Sequence, residues 1–346
     1  MKIDAFTHIF PKAYWERMLR ALPDGRDMHK RVRAIPSIVE LDVRFRIMDD
    51  FGDDYRQVLT IGSPPIEAFP ARETVDLAKA ANDGMAELVA RYPERFAGFA
   101  ASLPMNDLDA SAREAERAIE TLGALGVQVF TNINGRPLYT KDTLPLFDLM
   151  ARYDLPVWMH PARGAEVADY QGERKSHYEI WWTLGWPYET SVAMAHLVFG
   201  GLFDRHPGFK LITHHMGGMI PYFAGRVGPG WDQLGTRTSD EDYGPLLKSF
   251  KLKGKRPVDE FRNFYADTAL FGAYEATKCG LAFFGVEKTL FASDAPFDPE
   301  GGRMYIRETI AVIERLELAT SEKQSIYCGN LRRLCRMDER EAACKA

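Results

Sequence analysis

No apolar run in this chain approaches the roughly 20 residues that a membrane-spanning helix requires, so a helical membrane protein is excluded. A secretory signal is not expected either, because Asp4 and the polar pair Thr7-His8 interrupt the first apolar segment. Cysteine is scarce: the 346 residues hold four, Cys279, Cys328, Cys335 and Cys344, with no Cys-x-x-Cys pair. If helical, Cys328 and Cys335 share a face but stand about 10 Å apart at roughly 1.5 Å rise per residue, too far for a disulfide. Reduced thiols in a cytoplasmic protein are the expectation. Positive charge is not in excess. With 44 Lys and Arg against 49 Asp and Glu, the net charge of -5 leaves no basic footprint for nucleic acid and no polybasic face for a membrane surface.

Apolar material is plentiful, at 46% of residues, enough for a large soluble core. Eight short segments, rich in β-branched or aromatic residues, read as buried parallel strands: residues 2–8, 56–62, 96–103, 126–132, 156–160, 210–216, 264–270 and 288–294. Stretches of helical periodicity separate them, including Glu73 to Tyr92, Ala110 to Leu125 and Leu144 to Tyr153, and breakers follow at Pro93, Gly126 and Pro156. Regular alternation of strand and helix predicts a parallel sheet with helices outside, and eight strands favour closure into a single (β/α)8 TIM barrel domain spanning residues 1–346. Two insertions, Ala162 to Trp186 after the fifth strand and Gly228 to Arg262 after the sixth, break the rhythm. Both are expected to lie over the mouth, as lids or subunit contacts.

Four ionisable residues, His8, His160, His215 and Asp294, stand where an apolar run turns into a loop. Barrel active sites gather at the C-terminal ends of strands, so these residues should converge on one axis, and imidazoles with a carboxylate suit a metal. His160 precedes Pro161, which stops the strand with the imidazole at the rim. Asp294 ends an apolar run, where a carboxylate is costly to bury without a metal, a proton or a donor. His214 and His215 are adjacent and should face opposite ways on a strand. The glycines of Met216-Gly217-Gly218 favour His215 as the inward, acid-base residue, with His214 packing behind the strand. His29, His196 and His206 read as structural. His177, in the first insertion, could reach a substrate, and Trp181, Trp182 and Trp186 would either wall the site or anchor the loop.

Met1-Lys2-Ile3-Asp4 through His8, the segment ending in His160-Pro161, His215-Met216-Gly217-Gly218 and Ser293-Asp294-Ala295-Pro296-Phe297 together resemble the amidohydrolase-2 family, in order along almost the whole chain. Its best-known branch contains aminocarboxymuconate-semialdehyde decarboxylase and nonoxidative hydroxybenzoate decarboxylases. The resemblance implies one divalent metal, zinc or manganese, with His8, His160 and Asp294 as ligands and His215 handling the proton. It also implies that Arg44 and Arg226 bind a substrate carboxylate, the second across a homodimer interface. A solvated helix-face charge is the alternative for both arginines. The family usually has His-x-His or Glu-x-His on the first strand, and this chain reads Phe6-Thr7-His8, so one expected ligand is missing.

The expected reaction is nonoxidative decarboxylation of an aromatic or muconate-type acid, in which the metal stabilises the charge and Asp294 or His215 delivers the proton to carbon. The alternative is metal-dependent hydrolysis or hydration of a small lactone, amide or unsaturated acid with the same residues. A non-catalytic barrel that binds a small acid is the third reading. Product analysis separates the three.

Overall fold

The computed structural model describes residues 1–22, 25, 27–238 and 240–339, so Cys344 lies outside the described residues. Its centre is an eight-stranded parallel sheet in chain order: β1 Lys2–His8, β2 Tyr55–Thr60, β3 Phe96–Ser102, β4 Gly126–Phe130, β5 Val157–His160, β6 Leu211–Thr213, β7 Tyr265–Asp267 and β8 Thr289–Leu290. Beyond β8 the chain bonds back to β1: Ala5 N donates to Phe291 O at 2.8 Å and Asp294 N to Phe6 O at 3.1 Å. Those bonds close the barrel. Helices lie between successive strands, as in a (β/α)8 barrel.

The helices form where apolar residues recur at helical spacing. Ala71–Arg91 buries Thr74, Leu77, Ala78, Ala81, Asn82 and Met85, a stripe three to four residues apart. Leu108–Glu120 starts at Asp107, whose carboxylate accepts from Ala110 N at 2.9 Å. Leu144–Tyr153 ends at Asp154 in the left-handed region. Ile3, Ala5, Val58, Ala100, Trp158, Ile212, Leu290 and Ala292 form one inner cluster with Leu331, Leu334 and Cys335 of the C-terminal segment, whereas Leu59, Phe99, Val129 and Met159 belong to the larger core. A shift in the β1–β2 register between Asp4 and Thr7 places Phe6 in the inner cluster beside Ala5 and turns His8 toward the mouth.

Cys279 and Cys328 are free thiols. No helix of the described residues is long and apolar enough to cross a membrane.

The first insertion carries a short helix, Ile180–Thr183, and opens into the helix Gly185–Phe199, with Trp181 and Trp186 buried. The second departs from expectation. It folds as Ala224–Trp231, Gly244–Leu252 and Pro257–Glu260 on the outside of the barrel, where Trp231 and Phe250 pack edge-on against Phe199 and Trp231 stacks on Phe261. Its apolar residues find cover against a helix, not over the mouth.

After β2 the chain makes one turn, Ile66–Ala68, that buries Glu67. Its Oε1 and the hydroxyl of Tyr14 have no hydrogen-bond partner among the described residues, and burial pushes the Glu67 carboxyl up from 4.5 to about 8. The folded protein therefore keeps this proton while the unfolded chain releases it near 4.5, and stability falls as pH rises between those values. Glu67→Gln should remove that dependence, gaining about 3 kcal/mol over the parent between pH 5 and 8. Parallel melting-temperature curves for the two proteins over that range would refute it.

Candidate active site

Four side chains at the C-terminal ends of the barrel strands converge: His8 from β1, His160 from β5, His214 just past β6 and Asp294 past β8. Each offers one ligand atom, and the four atoms lie within 4.8 Å of one another. All four residues are buried, Asp294 the least so at 5% exposure.

Hydrogen bonds on the far sides of the rings set the tautomers. Thr60 Oγ1 donates its own proton to the Thr7 carbonyl at 2.9 Å, so its 2.9 Å contact with His8 Nδ1 requires the hydrogen to sit on that nitrogen. His160 Nδ1 donates to the Pro161 carbonyl at 2.7 Å. Both rings therefore aim an Nε2 lone pair inward. His8 Nε2 meets Asp294 Oδ1 at 2.9 Å, two acceptors that a shared cation would reconcile. His214 Nδ1 donates to Asp267, and its Nε2 reaches Asp294 Oδ1 at 3.2 Å. Imidazoles oriented through the second nitrogen by a hydroxyl, a carbonyl and a carboxylate are the pattern of metal-binding histidines. The donor set fits a divalent metal.

The charges agree. Burial pushes His8 and His160 down, and for His160 the neighbouring His8 and His214 add to the effect, so both rings are neutral ligands. For His214 burial works in the same direction, but the carboxylates of Asp267 and Asp294 overcome it and raise the ring to about 10. The proton on its Nε2 is the one a metal would replace. Burial would raise Asp294, yet the His214 charge, then the contacts with the His214 and His215 imidazoles, hold it well below the ordinary carboxylate range.

His214 thus corrects the expectation that it packs behind the strand. Alternation of side chains applies only while the strand continues, and β6 ends at Thr213. His215 and Met216 take φ of 52° and 53°, and this left-handed turn brings both imidazoles to one side, their centroids 3.9 Å apart. His215 Nε2 lies 3.5 Å from Asp294 Oδ2, and its Nδ1 has no hydrogen-bond partner among the described residues. Burial, then the His214 charge, lowers its pKa. Phe6 stacks on His214 with centroids 4.1 Å apart. The missing ligand position of β1 is thus part of the floor, and His214 brings the donor count to four.

One cavity adjoins the cluster, and a larger one lies beyond Met28 and Trp186. The adjoining one, of about 130 Å³, is lined by His215 and Asp294, by the aromatic rings of Trp182, Trp186, Phe271, Phe297 and Tyr305, and by Arg31. The guanidinium of Arg31 donates to Phe297 O at 2.6 Å and lies 4.6 Å over Trp182 and 5.4 Å over Phe297. Sequence reading missed Arg31, which sits in a short basic helix, Met28–Arg33, with no motif around it. Asp267 and Thr60 were missed as well, although each stands at a strand end, which was the available signal.

Other expected binding residues lie elsewhere. Arg44 is 3% exposed and lines neither cavity. It donates to Gln57 Oε1 at 2.8 Å, His8 O at 2.7 Å, Ser37 O at 3.3 Å and Thr7 Oγ1 at 3.1 Å, tying β1 to β2. Backbone and side-chain acceptors occupy its guanidinium, so it cannot present a fork to a substrate. Arg226 and His177 are exposed and also line neither cavity. Trp181 lines the larger cavity.

Asp267→Asn should weaken metal affinity roughly 10- to 100-fold, because the amide no longer anchors the His214 imidazole as a carboxylate does. Titration of metal-stripped protein measures this directly. Affinity equal to the parent would remove Asp267 from the metal-positioning role.

A gamma-resorcylate decarboxylase of Rhodococcus jostii is 29% identical over 336 residues, covering 92% of each chain. The solved structure of a 2,6-dihydroxybenzoate decarboxylase with 2,6-dihydroxybenzoate matches with a TM-score of 0.77 at 25% identity, over 97% of this chain and 99% of that one. A dihydroxybenzoic acid decarboxylase from Polaromonas sp., with bound manganese and the inhibitor 2-nitroresorcinol, matches with a TM-score of 0.76 at 25% identity, over 97% of both chains. The amidohydrolase family model matches residues 3–336, from β1 to the C-terminal segment that joins the inner cluster, and the chain belongs to that family.

Proposed function

We propose that this protein catalyses the nonoxidative decarboxylation of a small aromatic or muconate-type carboxylic acid with one divalent metal, zinc or manganese, held by His8, His160, His214 and Asp294. One observation carries the reading: Asp294 of the inward-facing donor set, with His215 beside it, lines a small aromatic-walled cavity in which Arg31 is the guanidinium among the described lining. The similarity to decarboxylases of dihydroxybenzoates supports it. When bound, the metal supplies Lewis-acid stabilisation of negative charge on the substrate oxygens.

The chain's own residues do the rest. Arg31, held by the Phe297 carbonyl and two ring faces, offers its charge to an anionic oxygen of the acid. The aromatic walls exclude water and hold a ring. Loss of CO2 breaks one carbon–carbon bond, leaves the electron pair on the ring carbon and requires one proton there. We assign its delivery to His215, which takes a proton from solvent to become the imidazolium, stands with Nε2 beside the ionised Asp294 Oδ2, and returns to the neutral ring as the carbon is protonated. Asp294, held ionised, serves as ligand and as the partner of that imidazole.

We place the enzyme in the cytoplasm as a homodimer. Arg226 lies on the exposed helix that follows Tyr222, itself 78% exposed, a position that suits a subunit contact.

The test is CO2 release by metal-loaded protein on a panel of hydroxybenzoates, muconate semialdehydes and lactones. One CO2 per acid consumed is expected. Hydrolysis or hydration without CO2 would establish the hydrolase alternative instead. Arg31→Met should lower kcat/KM roughly 10- to 100-fold, mainly through KM, as loss of a charged hydrogen bond of about 1.5–3 kcal/mol implies. An unchanged KM would remove Arg31 from the substrate site.

A further inference from the structure

The larger cavity has a volume of about 710 Å³, and two side chains of its described lining, Met28 and Trp186, also line the small one. None of His8, His160, His214, His215 or Asp294 lines it. The two volumes suit different tasks. A cavity of about 150 Å³ holds a single benzene ring, whereas one of several hundred Å³ encloses a molecule of several rings.

The partition between them is one fixed and one adaptable side chain. Trp186 Nε1 donates to Arg163 O at 3.2 Å, and its ring packs edge-on against His160 at 5.4 Å and Trp181 at 6.0 Å. Met28, 7% exposed, is an unbranched thioether that can change rotamer without leaving its site.

Charge gives the pair a direction. The described lining of the large cavity carries three carboxylates, Asp27, Glu166 and Glu189, against one guanidinium, Arg163, which is bound to Glu189 at 3.1 Å. An acid group is repelled there and drawn to Arg31 and the donor cluster of the small cavity. The described lining favours an uncharged or cationic group over an anion, and the rings of Trp181 and Trp186 offer it apolar surface.

We propose that the two cavities are one bipartite substrate site, so that the preferred substrate is an aromatic acid extended by a second ring or comparable uncharged group. The acid-bearing ring takes the small cavity, and the extension passes Met28 and Trp186 into the large one. This rests on the decarboxylase reading above.

The experiment compares 2,6-dihydroxybenzoate with its 3- and 4-benzyloxy derivatives on metal-loaded enzyme, in the parent and in Ala68→Trp, a bulky substitution at the exposed rim of the large cavity. One extended isomer should exceed the single-ring acid roughly 10- to 100-fold in kcat/KM. Ala68→Trp should erase that advantage and leave the single-ring rate unchanged. Equal or slower turnover of both extended acids, or equal loss on all substrates in the variant, would overturn the proposal. Binding of 4- and 5-benzyloxyresorcinol, the products of the two extended acids, read by tryptophan fluorescence in metal-stripped protein, separates the two readings. If no acid yields CO2 but one of these phenols binds and Ala68→Trp weakens it, decarboxylation fails and the bipartite site stands. If CO2 is released from the single-ring acid and neither phenol binds, the bipartite site fails alone.

Discussion

Replacing His215 by alanine is expected to lower kcat roughly 10²- to 10⁴-fold, the range for loss of a general acid-base group, with metal content and melting temperature close to the parent. The imidazole offers no ligand atom to the converging set of four, so its removal leaves the donors in place. Its Nδ1 has no hydrogen-bond partner among the described residues, so truncation orphans little beyond the Asp294 carboxylate, which keeps the His214 proton. Residue 215 already holds a side chain at φ 52°, and alanine there introduces little new backbone strain. A catalytic role and a merely structural one are thereby separated. If kcat survives, the proton assignment is wrong, and if metal content collapses with activity, His215 acts through the metal site instead.

Stripping the metal is expected to abolish turnover and to lower stability together, with both restored by adding back zinc or manganese. The reason lies in the donor geometry. His8 Nε2 and Asp294 Oδ1 stand 2.9 Å apart as facing acceptors, and His160 points a third lone pair toward them. The His214 proton offsets part of that crowding. A bound ion that prefers the folded state stabilises it by mass action, about 2.7 kcal/mol at a concentration roughly a hundredfold above its dissociation constant. Metal analysis, calorimetric melting and CO2 release on the same preparation check all three points. Full turnover with no metal present would eliminate the metal-assisted mechanism and leave His215 to act alone.

These two results probe different halves of the site, and the halves were unequally legible in the sequence. Strand-end positions of His8, His160, His215 and Asp294 follow from local pattern, since an apolar run that stops at a polar residue and a turn is readable one segment at a time. His214 was misplaced because alternation was extended one residue beyond the end of β6, where the backbone turns left-handed. Arg44 was read as a substrate-binding residue and Arg31 was passed over for a related reason. Both precede β2 and both are arginines, and only the packed structure shows that one is consumed by acceptors between β1 and β2 while the other projects into the small cavity. The second insertion was legible as an insertion, but the direction in which it folds depends on Phe199 offering an apolar surface outside the barrel.

By itself the sequence determined the eight-strand alternation, the boundaries of the principal helices to within a few residues and the strand ends that carry chemistry. Those properties are set by periodicity and by breakers, which act over neighbouring residues. Tertiary structure alone decided which nitrogen of each histidine faces inward, which arginine meets the cavity and that two cavities share the wall of Met28 and Trp186. Each of these depends on partners far away in the chain, such as Thr60 for His8 and Asp267 for His214, and no local pattern records what a side chain meets across the barrel.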